Sequence, residues 1–280
     1  MVQPKSTAIK ISDYPVRKIL RCLMFKNGDA EYPVEECITF VADLVFSHVK
    51  NIVQKTVEAA KKRNSQVPEI IDIIFQFRKN PKLLKRLYEY ISLVNASYRM
   101  GKVYNVETNS VNEDNDDLSA PDDNVTTTSS AIAEKVLNAI KKLDVDGKLI
   151  DFMTSNVEDA SKIERSKRCA ARTASMSTEK YQRFAEASSY SFLLVGGRRS
   201  ELYDAGFRYY TKAPEEFTHD MLIILNFCAM EMMTVLVENA FLNLLKQSQR
   251  IGISKDFHKL GAIQLENYKE TANRIPPKNA

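Results

Sequence analysis

The 280-residue sequence has no tryptophan, only 8 Gly and 9 Pro, and three widely separated histidines, His48, His219 and His258. So few turn formers and breakers exclude a β-sandwich, a small barrel or a mainly disordered chain. Cys22, Cys37, Cys169 and Cys228 form no Cys-x-x-Cys pair, which argues against a structural zinc site or a disulfide framework. Scattered single thiols suit a reducing compartment. Met1 to Lys5 carry no apolar stretch of the kind that opens a secretory leader, so the Asn-x-Ser/Thr matches at Asn95 and Asn124 read as chance. There is no Gly-rich phosphate loop, no His-Glu-x-x-His and no nucleophile elbow. No catalytic residue, cofactor or metal is therefore expected. Asp144-x-Asp146-Gly147 lacks the ligand ladder of a calcium loop and reads as a turn.

What is present is the balance of a soluble globular chain, 44% apolar and 27% charged, with the length of about two domains. The net charge of +4 is unevenly spread. Residues 1–100 carry 17 Lys+Arg against 10 Asp+Glu, residues 101–130 one against seven, and residues 131–280 22 against 19. A basic head, an acidic break and a near-neutral remainder describe two bodies and a linker. The segment 105–130 has almost nothing apolar to offset its chain entropy and reads as disordered. Ser129 or Ser130 is positioned to cap a helix that follows.

The N-terminal body predicts four helices. Val16 to Phe25 is short and ends at Asn27-Gly28-Asp29. Pro33 then opens a long helix over Val34 to Arg63, roughly 45 Å at the standard rise. Its polar residues Glu36, Thr39, Asp43, Ser47, Lys50, Gln54, Glu58 and Lys61 form one narrow stripe. The remaining arc is too wide for a helix lying on one neighbour. A short apolar helix through Ile70 to Phe77 and another from Pro81 to about Tyr98 complete the body. The C-terminal half repeats the order loosely. Lesser helices cover Ala131 to Arg172, and a helix starting at Ser177 or Thr178 reaches Leu193 and ends at Gly196-Gly197. A second long apolar helix spans Thr218 to Gln247, and shorter helices cover Ser254 to Tyr268. Asn226, Glu231 and Glu238 interrupt the long run, so a buried core helix is expected in place of a membrane span. Two bodies with over-apolar central helices are suited to burying each other's excess.

Leu20-Arg21-Cys22-Leu23-Met24-Phe25, Gly28-Asp29, Asp43-Leu44-Val45 and Asp72 to Pro81 resemble the histone-fold family shared by the Spt-three subunit of the SAGA coactivator and the thirteenth TBP-associated factor of TFIID. Asn80 stands where that family usually has Asp, and an extra residue or two lies around Ser65 to Glu69. Met176 to Tyr181, Ser188 to Phe192 and Ile223 to Phe241 resemble the second half of the Spt-three subunit, which is similar to the eleventh TBP-associated factor. Both halves on one chain identify it as a divergent member of the Spt-three type. The resemblance implies an all-α chain with two histone folds that pair within the molecule, at 14–100 and 176–275. A linker at 101–130 and a helical connector at 131–175 would join them. It also implies a nuclear, non-enzymatic role in RNA polymerase II transcription, with coactivator or TFIID subunits and TATA-binding protein as partners and no membrane. The pairing core is expected to include Leu44, Val45, Ile52, Phe75, Leu225, Met232 and Leu236.

Lys79, Lys82, Lys85 and Arg86, with Arg78, form a dense basic cluster. They suit contact with an acidic partner or nucleic acid, or a solvated helix boundary in which Arg78 pairs with an acid such as Asp72. Asp29 and Glu31 in the first loop oppose phosphate, which argues against nucleosome-like wrapping and leaves any DNA contact indirect. The basic run Lys162 to Arg172 suits a localisation signal or a DNA contact, with a solvated linker the simpler reading.

Overall fold

The computed structural model describes residues 10–94, 125–195, 198–250 and 260–274, with the backbone alone at 125–131, 195, 198 and 199. The described residues are all-α apart from one two-residue antiparallel ladder, Leu194–Val195 (β1) with Arg198–Arg199 (β2). The expected disorder of 105–124 lies outside the described residues, as do Pro276-Pro277 and the first six residues of the helices expected over Ser254 to Tyr268; residues 260–264 are not helical, and the helix there is Leu265–Arg274. Two compact units divide the chain: Met1–Lys55 with Glu158–Ala280, and Thr56–Val157.

The first unit opens with α1, Val16–Asn27, and the start of α2, Glu35–Lys62. The polar stripe expected on α2 is exposed at every position from Glu36 to Lys61. Ile38, Val41, Val45, Phe46, Val49, Ile52 and Val53 are buried, so the apolar arc is as wide as the pattern requires. Acids at its start and lysines at its end complement the helix dipole. From the C-terminal half come α7, Ala160–Thr173, α8, Thr178–Ser188, α9, Glu201–Thr211, α10, His219–Arg250, and α11, Leu265–Arg274. α1 packs on α8 and α10, and α11 packs on α10. By length and composition α10 could cross a membrane, but 67% of its apolar window is buried inside the protein. It is the core helix the interruptions implied.

The second unit holds the end of α2, α3 (Ile70–Phe77), α4 (helical over 81–94), α5 (Val125–Leu143) and α6 (Lys148–Thr154). Asn64, in the left-handed region at φ 59, turns the chain out of α2. Arg63 pairs with Asp72 and Glu69, closing the second loop. Asn80 Oδ1 accepts from Leu83 N–H at 3.1 Å, so the amide caps α4 as the usual aspartate would. α3 packs on α5, where Val136, Ala139 and Ile140 are buried.

Three expectations change. α5 begins at Val125, inside the stretch read as linker, so neither Ser129 nor Ser130 is its cap. α8 ends at Ser188, short of Leu193. α9 has no counterpart in the pattern reading: Gly206 sits mid-helix, lowering its propensity, and directly faces Tyr14.

Candidate functional site

The Gly28-Asp29 turn is built by the end of α1. Gly28, at φ 130, donates its N–H to Met24 O and Phe25 O, and Asp29 N–H also reaches Met24 O. This left-handed turn swings the Asp29 carboxylate inward, where it is buried. Its Oδ1 accepts from Ala30 N–H at 2.7 Å and from Ile263 N–H at 2.9 Å. Its Oδ2 accepts from the fully buried Tyr268 Oη at 2.8 Å. Burial pushes the Asp29 carboxyl above its ordinary value, against the lowering effect of the three donors. Burial, then the Asp29 charge, push the Tyr268 phenol well up. Cys37 Sγ donates to Ile263 O at 3.5 Å, and burial with nearby carboxylates raises its thiol to about 11.

α11 is held in turn by α10. Asn243 Nδ2 donates to Thr271 Oγ1 at 3.0 Å, and Asn267 Nδ2 to Gln247 Oε1 at 2.8 Å. Beyond the loop, Glu31 pairs with Arg183 of α8. At the other end of α1, Tyr14 Oη donates to Phe192 O at 2.7 Å, and Phe192 N–H donates to Asn226 Oδ1 of α10 at 3.1 Å. Phe46 of α2 meets Phe192 and Tyr210 with ring centroids 5.5 and 5.0 Å apart. Apart from the Arg17 and Arg21 pairs with Glu35 at the start of α2, the long-range polar bonds of α1 and its loop described above end on residues after 160. None of these partners is visible in the sequence pattern. His219 Nδ1, 3.1 Å from Asp204 Oδ2, is a second pairing that the pattern missed.

Of the expected pairing residues, Val45, Ile52, Leu225 and Leu236 are buried, while Leu44 and Met232 are half-buried. Phe75 is not a core residue: it is 38% exposed, with the Arg78 guanidinium 3.7 Å above its ring. α3 buries Asp72, Ile73, Ile74 and Phe77 instead. Arg78 does not pair with Asp72, whose partner is Arg63; Arg78 donates to Phe75 O. In the basic cluster, Lys79 and Lys82 are exposed. Lys85 is not a free surface cation, because Nζ donates to Ser155 O at 2.7 Å and to Val157 O at 3.2 Å. Arg86 is half-buried. Asp29 does not face phosphate either, and Glu31 is paired, so the first loop carries no argument about DNA wrapping.

The basic run at 162–172 lies in α7, one of the lesser helices expected before Arg172, capped by Asp159. Its lysines are exposed, but its arginines are not simply solvated. Arg165 pairs with Glu231 and Glu238, and Arg168 with Glu238. Arg172 donates to Lys26 O and lies over Phe184. No group of three His, Cys, Asp or Glu able to hold a metal occurs among the described residues.

Among the described residues, then, an all-α body has its first loop, α1 and α7 bonded to residues of its own C-terminal half. Residues 15–106 match the family described as transcription initiation factor IID, 18kD subunit. TFIID subunit 13 of Dictyostelium discoideum is 30% identical over 98 residues, 35% of this chain and 90% of that protein. The Mus musculus and Homo sapiens proteins of the same name are 28% identical over 87 residues, 31% of this chain and 68% of each relative. The chain belongs to this histone-fold family of transcription initiation factors, through its N-terminal region.

Proposed function

We propose that this chain is a non-enzymatic subunit of a SAGA-type transcription coactivator, in which the histone fold at 14–100 pairs with a second one at 176–275 of the same chain. The segments 101–130 and 131–175 join them, the protein acts in the nucleus, and its outer surface meets coactivator subunits and TATA-binding protein. One observation carries this reading. Asp29 lies within the matched region, yet its buried carboxylate is satisfied by Ile263 and Tyr268, far outside it. The family region draws on this chain's own C-terminal part for its partner contacts. Lys79 and Lys82, both exposed, are the cations left for an acidic partner.

Membership of TFIID is the second reading, favoured by the names of the relatives. Purification of the tagged full-length chain from nuclear extract, followed by mass spectrometry, separates the two. Acetyltransferase and activator-binding subunits of SAGA are the expected co-purifying proteins. TFIID subunits without them would move the chain to the second reading, and neither set would sink both.

A further inference from the structure

One cavity of about 290 Å³ lies in the unit formed by Met1–Lys55 and Glu158–Ala280. Its wall carries four cations, Lys26 at the end of α1 and Arg165, Arg168 and Arg172 on α7, against a single carboxylate, Glu238. Glu238 is already shared, 3.1 Å from Arg165 Nε and 3.6 Å from Arg168 Nη2. Among the described residues no ion pair joins Lys26 or Arg172 to an acid. Lys26 Nζ has one long hydrogen bond, to Ser188 O at 3.5 Å. Arg172 Nη2 donates to Lys26 O, and its buried Nε has no acceptor. Burial pushes both the Lys26 ammonium and the Arg172 guanidinium below their ordinary values, against the raising effect of Cys169 on both and of Glu238 on Arg172, as expected for cations removed from water without full compensation. Gly28 keeps the wall open: a Cβ there would lie 3.2 Å from Arg172 Nη1. Phe184 and Phe241 give the wall an apolar side, and Asn27, Ser166 and Ser188 add uncharged polar groups.

We propose that this cavity binds an oxyanion, a carboxylate or phosphate group that meets Lys26 and Arg168 while any apolar stem it carries rests on Phe184 and Phe241. Half-buried cations that outnumber the one carboxylate of the wall bind such groups through charge-assisted hydrogen bonds, and the volume exceeds that of a bare ion. The site is independent of which assembly the protein joins.

Cys169 also lines the cavity and reports its occupancy, whereas Cys22, half-buried against the same Phe25 and Phe184 rings but not part of the cavity wall, serves as the internal control for changes in packing alone. Alkylation of both thiols in the full chain by N-ethylmaleimide would be followed by mass spectrometry. Chloride would be replaced at constant ionic strength by inorganic phosphate or by N-acetyl-glutamate. The expected result is a severalfold slowing at Cys169 and none at Cys22. Protection by phosphate alone marks a phosphate site, and protection by N-acetyl-glutamate marks a site for a carboxylate on an organic stem. Lys26→Met keeps the aliphatic shape and is expected to lose the protection. Arg168→Gln tests the same point should Lys26→Met not fold. Equal Cys169 rates in chloride and both anions would overturn the proposal, as would full protection persisting in the variants that fold.

Discussion

Asp29 is a carboxylate stripped of water and given three donors in its place, and two substitutions separate shape from charge there. Its raised pKa means the folded state holds the proton more tightly than the unfolded chain does. Stability therefore falls as pH rises from the ordinary 3.8 through the folded value, and the contribution is flat above it. Asp29→Asn keeps an acceptor oxygen and removes the charge. It is expected to abolish that slope in urea titrations across acidic pH, with stability at neutral pH changed by about 1 kcal/mol or less. Asp29→Ala leaves Ile263 N–H, Ala30 N–H and the Tyr268 hydroxyl without their acceptor and is expected to cost about 2–4 kcal/mol. Equal urea midpoints for the two variants would show the network to be dispensable. Gly206 makes a second residue-scale test. Gly→Ala within a helix ordinarily stabilises by up to about 1 kcal/mol. Here the added carbon would lie 2.7 Å from Tyr14 Cβ and closer still to its ring. That ring is fixed by Tyr203 edge-on and by its bond to Phe192 O. Gly206→Ala is expected to lower the urea midpoint, by about 1–3 kcal/mol of overpacking.

At the scale of elements, α7 shows how a helix of low hydrophobicity joins a core. It has no fully buried residue, and its arginines dock on two acids of α10. Those acids retain only 15–19% side-chain exposure and the arginines 25–33%. The pairs are therefore screened less than surface ones and more than buried ones. Glu238→Gln leaves Arg165 with only its more distant Glu231 contact and removes the acid that Arg168 pairs with, and is expected to cost about 1–3 kcal/mol. Chemical denaturation at low and high salt checks this, because the difference from the native chain should shrink as salt rises. The same elements show where sequence reading stopped. α2 was legible in full, since its exposed stripe repeats at helical spacing over seven turns. α3 was not, because a run of Ile and Phe at almost every position leaves the buried face undetermined, and Phe75 fell on the exposed side. The pairing of α7 was missed because the acids that neutralise it lie some 70 residues further along the chain.

For the molecule as a whole, the family region is the part that relatives share, and its first loop and α1 bond to residues of the C-terminal part. A fragment of residues 1–104 would lack Tyr268 and Ile263 at the first loop, Phe192 at Tyr14, and α8 and α10 on α1. It would also lack α5 on α3. Alone it is expected to aggregate, and co-expression with residues 131–280 to restore solubility. Gel filtration of the two preparations checks this. A soluble, monomeric N-terminal fragment with a cooperative urea transition would count heavily against pairing within the chain.

Helix spacing, caps, breaks and the width of apolar arcs are local properties, decided within a few turns of chain. The sequence by itself therefore determined the all-α class, the two long core helices, the turn at Gly28 and the Asp144–Gly147 turn. Its motif blocks, not its periodicity, pointed to a family over roughly residues 14–98, and the family match covers 15–106. The destination of a buried polar group is not local. Asp29 and Tyr268 are 239 residues apart, and nothing near either one names the other. Only the tertiary structure decided that the first loop is locked from the C-terminal part, that Arg63 and not Arg78 holds Asp72, and that Gly206 makes room for Tyr14. Hydrogen bonds, ion pairs and close packing depend on which surfaces the folded chain brings within a few ångströms, and periodicity carries no information about that.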